Sequence, residues 1–316
     1  MRTPATAMTT APTKQPDTRM PISDDAGDAL RLPVAPPGGR WRSLPRSPSV
    51  WIGVVILSIH LVIALIAPWI VPYSPTALDP ESLFAPPSQA HLFGADQYGR
   101  DILTRVALGG RVTLTLSFSA ALLAVLLGGF LGIWLGYEGG LLDEIFMRLI
   151  DATLALPGLL LLLTILSVFG GGWNVILFSL VLLFVPGIVR VARAATLDIV
   201  PRDFITAARA RGERTSGIVL RELLPNVRDI LLVEFAMRVS WSVVAVSGLA
   251  FLGFGVPPGT PDWGLMIAEN RPALAYAPWC TLFPVLAISS LVIGVNLTID
   301  GLAKVFGLDR TQGAPA

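Results

Sequence analysis

The 316-residue sequence is short of charge, lysine, cysteine and histidine, and each shortage excludes a class of function. Charged residues make up 14% against roughly 25% in an average soluble domain, and hydrophobic residues reach 53%. A water-soluble globule of that composition exposes enough apolar surface to aggregate, which argues against a soluble enzyme. The formal net charge of +1 leaves no polybasic surface for nucleic acid. Cys280 is the single cysteine, so neither an internal disulfide nor a cysteine-rich metal cluster can form. His60 and His91 are the only histidines and lie far apart, so an ordinary zinc site is not expected. Lys14 and Lys304 are the only lysines. Neither sits in G-x-x-x-x-G-K-[ST], whose lysine must reach the β/γ-phosphates, so the chain has no P-loop to hydrolyse ATP. No Ser/His/Asp spacing suggests nucleophilic catalysis. The chain therefore reads as a non-enzyme without a cofactor.

What is present is a series of long apolar runs. Residues 1–48 hold Thr, Pro, Ala and scattered charges without apolar periodicity, the composition of a disordered cytoplasmic tail. They are no signal peptide, because the apolar run beginning near residue 50 is too long for an h-region. A transmembrane helix needs roughly 20 mostly apolar residues. Residues 152–189 carry no charge over 38 positions, about 57 Å as one helix, so this run must break, and Gly170-Gly171-Gly172 is the evident place. The reading is an all-α polytopic membrane protein with six spans at about 51–71, 112–137, 152–169, 173–189, 230–254 and 279–299. A loop at 190–228 and a C-terminal tail at 311–316 complete the organisation. With the N-terminus in the cytoplasm, 18 of the 23 basic residues fall inside. Only Arg100, Arg105, Arg111 and Arg271 fall outside, and Arg238 lies within the fifth span. The topology is N-in, C-in. Gly128, Gly132 and Gly136 recur every four residues and form a small face for close helix packing. Pro157 and Pro186 are expected to start or kink helices inside protein-covered interior.

The loop at 190–228 is the most informative stretch outside the spans. Pro201 can start a helix because its missing N–H would be unpaired there anyway. Residues 204–211 continue it, and Gly212 permits the turn that ends it. A second short helix is expected at about 216–224, stopping at Pro225. Two short helices carrying small, apolar and basic residues make a docking surface on the cytoplasmic side.

Thr206-Ala207-Ala208-x-x-x-Gly212, with Leu224-Pro225 downstream, resembles the EAA loop of ABC importer permeases. Phe93-Gly94-Ala95-Asp96-Gln97-Tyr98-Gly99-Arg100-Asp101 resembles the FGTDxxGRD signature of the dipeptide/oligopeptide/nickel branch. Gly136-Tyr137-x-Gly139-Gly140-x-x-Asp143, Met147-Arg148-x-x-Asp151 and Leu156-Pro157 fit the same branch, as do Leu252-Gly253-x-Gly255-x-Pro257-Pro258 and Pro261-x-Trp263-Gly264. The matches cover residues 50–310 in order and are similar to a C-type permease subunit. Thr206 stands where the EAA glutamate is usual, and Glu222 where an Ile usually precedes Leu-Pro. The resemblance implies a type I importer transmembrane fold in the bacterial inner membrane. It also implies a second homologous permease subunit, one or two separate ATPase subunits and an extracytoplasmic binding protein. The helix near 201–211 would be the coupling helix, with Phe204, Thr206, Ala207, Ala208, Gly212, Leu224 and Pro225 in the ATPase-coupling loop. Relatives in this branch handle peptides, glutathione-like compounds and nickel chelates.

Two further groups carry charge in unusual places. Glu234 and Arg238 lie four apart, on one helix face about 6 Å apart along the axis. An intramembrane charge costs roughly 2.5–3.5 kcal/mol on insertion scales, so the pair should face protein or water. It reads either as a self-neutralising packing pair or as an element of the pathway or its cytoplasmic gate. Outside, the segment holding Pro72, Pro75, Pro80, Pro86 and Pro87 is expected to be extended, followed by an interfacial helix over 102–108. Asp96, Arg100 and Asp101 are candidates for a charge network there, serving contacts with the binding protein or partner permease, or simply ordering the loop. His60 is expected to be a packed, hydrogen-bonded histidine. An ion-coupled secondary transporter is the alternative; it would show internal repeats and several mid-membrane ionisable groups, and the sequence has no repeat and one charged pair.

Overall fold

The computed structural model describes residues 48–257 and 259–306, and every element below lies within them. Residues 1–47 of the tail expected at 1–48, including Lys14, together with Pro258, the Lys304 side chain, Arg310 and the segment 311–316, lie outside the described residues. Regular structure among the described residues is helical, apart from one antiparallel bridge between Ala95 and Asp101. Helix α1 (Pro48–Ile70) is apolar on nearly every face, and Trp51, Ile52, Val55, Ile59 and Leu65 are exposed as lipid-facing residues should be. Helix α2 (Ile102–Glu138) starts at Asp101, whose carboxylate accepts the Thr104 N–H at 2.8 Å. Residues 102–108 are therefore the first turns of this helix and not a separate interfacial helix.

Helices α3 (Gly140–Leu154) and α4 (Gly158–Phe169) meet at 86°. The third span expected at 152–169 is thus broken at Pro157, which lacks an N–H and disfavours helical geometry at Leu156. At 12 residues, about 18 Å, α4 alone is too short for a bilayer core of roughly 30 Å. Among the described residues, five helices are long and apolar enough to cross a membrane, and the bent pair makes six when counted as one span. After Gly170–Gly172, helix α5 (Trp173–Leu197) continues beyond the expected end at 189, through Pro186. Helix α6 (Asp203–Ala210) follows.

The next helix begins earlier than expected. A helical turn at Thr215–Gly217 leads into a π turn at Ile218–Leu223 and then α7 (Leu224–Phe251), one run of 37 residues. Pro225 does not stop it. The wider π turn accommodates the proline without ending the helix, and the Asn226 side chain donates to the Glu222 carbonyl at 2.6 Å. Helices α8 (Trp263–Asn270) and α9 (Trp279–Phe306) complete the chain.

Helix α2 is the central strut: it packs along α5 on one side and α7 on the other, while α9 packs on α1 and α7. The α2–α5 crossing is close because glycine leaves room. A Cβ on Gly132 would lie 2.6 Å from the Val189 carbonyl oxygen, and one on Gly136 would lie 3.0 Å from that of Arg193. One apolar core lies among α2, α4, α5, α6 and α7, and a second among α1, α2, α7, α8 and α9.

Candidate functional site

Helix α6 hangs between the end of α5 and the start of the α7 run. Its amphipathic spacing sets its posture: Ile205 and Ala208 are fully buried, and Phe204 packs partly against the same core. That core includes Ala192 and Ile199 of the α5 end and Ile218, Val219 and Leu223 of the π turn. The opposite face, Asp203, Thr206, Ala207 and Ala210, is exposed and short-chained, with Arg202, Arg209, Arg211 and Arg214 exposed around it. Gly212 closes the helix at φ +73°, where an L side chain is strained. Its N–H reaches the Arg209 carbonyl at 2.9 Å, and the Glu213 N–H reaches Ala208 at 3.2 Å, satisfying carbonyls the helix end would leave open. Leu224 is half-buried and Pro225 exposed, 12 and 13 residues past Gly212 along the chain. The structure therefore brings Phe204, Thr206, Ala207, Ala208 and Gly212 into one short helix and its stop. Leu224 and Pro225 belong to the following helix.

Motif residues of the α2–α3 turn meet this corner. The Arg209 guanidinium lies 4.6 Å from the Tyr137 ring centroid, and its Nε donates to the Tyr137 hydroxyl at 3.2 Å. Arg193 Nε and Nη2 donate to the two oxygens of Asp143, each at 2.5 Å. Arg190 pairs with Asp151.

Within α7, Arg238 Nη2 donates to Glu234 Oε2 at 2.8 Å, and the guanidinium lies 5.7 Å from the Phe184 ring centroid of α5. A Cβ on Gly187 would meet Arg238 Nη2 at 3.1 Å. Glu234 is buried and Arg238 half-buried, so the charges face protein.

At the opposite end, Asp96 accepts the backbone N–H groups of Tyr98 (2.8 Å) and Arg100 (3.0 Å) and the Arg100 Nε (2.6 Å). Arg100 Nη2 also donates to Glu269 of α8 at 2.6 Å, and the fully buried Arg105 lies between the same two carboxylates at 3.8 and 3.5 Å. Asp101 caps α2 and binds His91 Nδ1 at 3.0 Å. Asp96, Arg100 and Asp101 are all buried, so they order this segment and do not themselves present charge to a partner. Sequence reasoning missed Glu269, His91 and the role of Arg105. Arg105 stands one helical turn after Asp101, which is a usable signal, whereas Glu269 is 169 residues from Arg100 and no spacing announces it. Nearby, Asp262 caps α8 by accepting the Leu265 N–H at 3.0 Å. Burial pushes its carboxyl up to about 6, against the pull of the Leu265 and Gly264 N–H groups and Arg105. His60 Nδ1 lies 3.0 Å from the Ile56 carbonyl oxygen, and its Nε2 lies 3.2 Å from the Ser290 hydroxyl and 3.3 Å from the Ala287 carbonyl oxygen. No group of three or more metal-ligating side chains occurs among the described residues.

Residues 128–310 match the family model described as the binding-protein-dependent transport system inner membrane component. Residues 39–87 match the N-terminal transmembrane domain of oligopeptide transport permease C. A putative peptide transport system permease protein of Brucella suis is 36% identical over 264 residues, covering 84% of this chain and 89% of that protein. The dipeptide transport system permease protein DppC of Haemophilus influenzae is 34% identical, covering 83% of this chain and 91% of that protein. The glutathione transport system permease protein GsiD of Shigella dysenteriae is 35% identical, covering 83% and 87%. Among solved structures, an inward-facing MetNI methionine ABC transporter chain aligns at TM-score 0.51 and 19% identity, covering 66% of this chain and 97% of that one, a likeness of fold. These matches set aside the ion-coupled reading. The chain belongs to the binding-protein-dependent transport system inner membrane components, multi-pass permeases of the bacterial inner membrane.

Proposed function

We propose that the chain forms half of the translocation pathway of an ATP-driven importer for peptides or similar small solutes. A second, homologous permease subunit supplies the other half in the bilayer, and an extracytoplasmic binding protein delivers the solute. One or two separate ATPase subunits supply energy through α6, which acts as the coupling helix. The observation that carries this reading is the two-faced build of α6: Ile205 and Ala208 are locked into the core, while Thr206, Ala207 and Ala210 present a small exposed ridge ringed by arginines. A ridge of short side chains fits into a groove, and an anchored inner face passes its displacement to α5 and α7. Phe204 and Gly212 hold the ridge at its two ends, and Leu224 and Pro225 follow the π turn against which α6 packs. Peptide, dipeptide and glutathione permeases among the relatives support the substrate class. The test is purification of the tagged chain co-expressed with its neighbouring genes, followed by ATPase assay. An ATPase should co-purify, and Ala207→Trp should remove it while the permease still reaches the membrane. Co-purification of no ATPase overturns the reading.

Glu234 holds Arg238 on α7, Arg238 reaches Phe184 and Gly187 of α5, and we read the pair as part of the gate at the cytoplasmic half of the pathway. Glu234→Gln and Arg238→Gln should each lower uptake at normal membrane expression. Normal uptake in both removes the gate role and leaves a packing pair. On the outer face, the segment that Asp96, Arg100 and Asp101 order is the surface offered to the binding protein or partner permease.

A further inference from the structure

The residues on either side of the turn between α2 and α3 hold arginines from two elements of the coupling corner, α5 and α6. Gly132 and Gly136 let α5 press onto α2 so closely that the Arg193 backbone rests on Gly136. The Arg193 side chain then forks onto Asp143, three residues past the Gly139–Gly140 turn, both bonds at 2.5 Å. Arg209 of α6 lies on Tyr137, the residue between that glycine face and the turn. Arg190 pairs with Asp151 at the far end of α3. The exposed Arg190–Asp151 pair contributes little to stability by itself, as surface pairs do. The Arg193–Asp143 fork differs: it is mostly buried, and two parallel bonds to a planar guanidinium fix the angle as well as the distance between helices. Since α3 joins α4 through the 86° bend, a helix that moves with the coupling corner moves the bent pair too.

We propose that Tyr137 and Asp143 are positioning residues of the transport cycle: they hold Arg209 and Arg193 and carry the displacement of α6 to α3 and α4. This rests on α6 being the ATPase-docking helix. Single cysteines at exposed Leu149 of α3 and exposed Ala194 of α5 report on the joint, and the only native cysteine, Cys280, is buried and takes no label. The doubly spin-labelled complex is measured in proteoliposomes without nucleotide and after trapping with Mg-ATP and vanadate. With the joint intact, the Leu149–Ala194 distance should be the same in both states. In Asp143→Asn and Arg193→Lys the distance should shift on trapping by about 5 Å or more, one helical turn. Asp143→Glu, which can still receive the fork, should restore the constant distance. Variants that keep the constant distance overturn the proposal, as does an intact joint that opens on trapping. Lower yield and hydrolysis with an unchanged distance also overturn it and leave a purely structural ion pair. A wild-type complex with no hydrolysis at all defeats the importer reading itself, and this proposal with it.

Discussion

A single buried carboxylate shows how the outer end of the protein responds to pH. Asp262 titrates near 6 in the folded protein, above the ordinary value of 3.8. Between those values the folded state keeps a proton that the unfolded chain releases, so stability falls as pH rises from about 4 to 6 and is level above. Asp262→Asn keeps an acceptor for the Leu265 N–H and removes the buried charge. Its advantage over the wild type should grow across that window to at most about 3 kcal/mol, with the pH dependence of thermal unfolding as the measure. Other residues were legible by type but not by contact. The pair Glu234 and Arg238 followed from their four-residue spacing on a helix, and the structure closes it at 2.8 Å. Trp263 stood out only as part of a resemblance; its reason is that the indole donates to the Val106 carbonyl at 2.8 Å and covers Gly109 and Gly110.

At the scale of elements, the glycine spacing in α2 made a concrete expectation of close packing, and the structure supplies the neighbour. Gly132→Leu would drive a side chain into the Val189 carbonyl and force α2 from α5. Destabilisation of about 1–3 kcal/mol is expected from such overpacking, read as a lower melting temperature of the purified protein. Helix limits were harder to read than helix existence. Charges mark the ends of the apolar runs, but helices α2, α5 and α7 continue past them, because a helix leaving the bilayer keeps its hydrogen bonds in water. Proline ends most helices, so Pro225 signals a stop in the sequence, and the π turn before it is a backbone adjustment that leaves no mark in residue type. Pro157 shows the converse, breaking a charge-free run that hydropathy alone joins.

The whole molecule follows the distribution of arginine. With the loop around α6 in the cytoplasm, alkaline phosphatase fused after Thr260 should be active and a fusion after Gly212 inactive. The reverse pattern, read by enzyme assay in whole cells, would invert the topology. Composition and order along the chain determined by themselves that this is a helical membrane protein, and they set the expectation of which way it sits and which loop is offered to a partner. Those properties are sums over neighbouring residues, since insertion depends on the apolar content of one helix length. Only the tertiary structure decided which charges meet. Arg193 reaches Asp143 over 50 positions and Arg100 reaches Glu269 over 169, because helix crossings and close glycine contacts bring them together. Such pairs form between side chains a few ångströms apart in space, and separation along the chain carries no record of that distance.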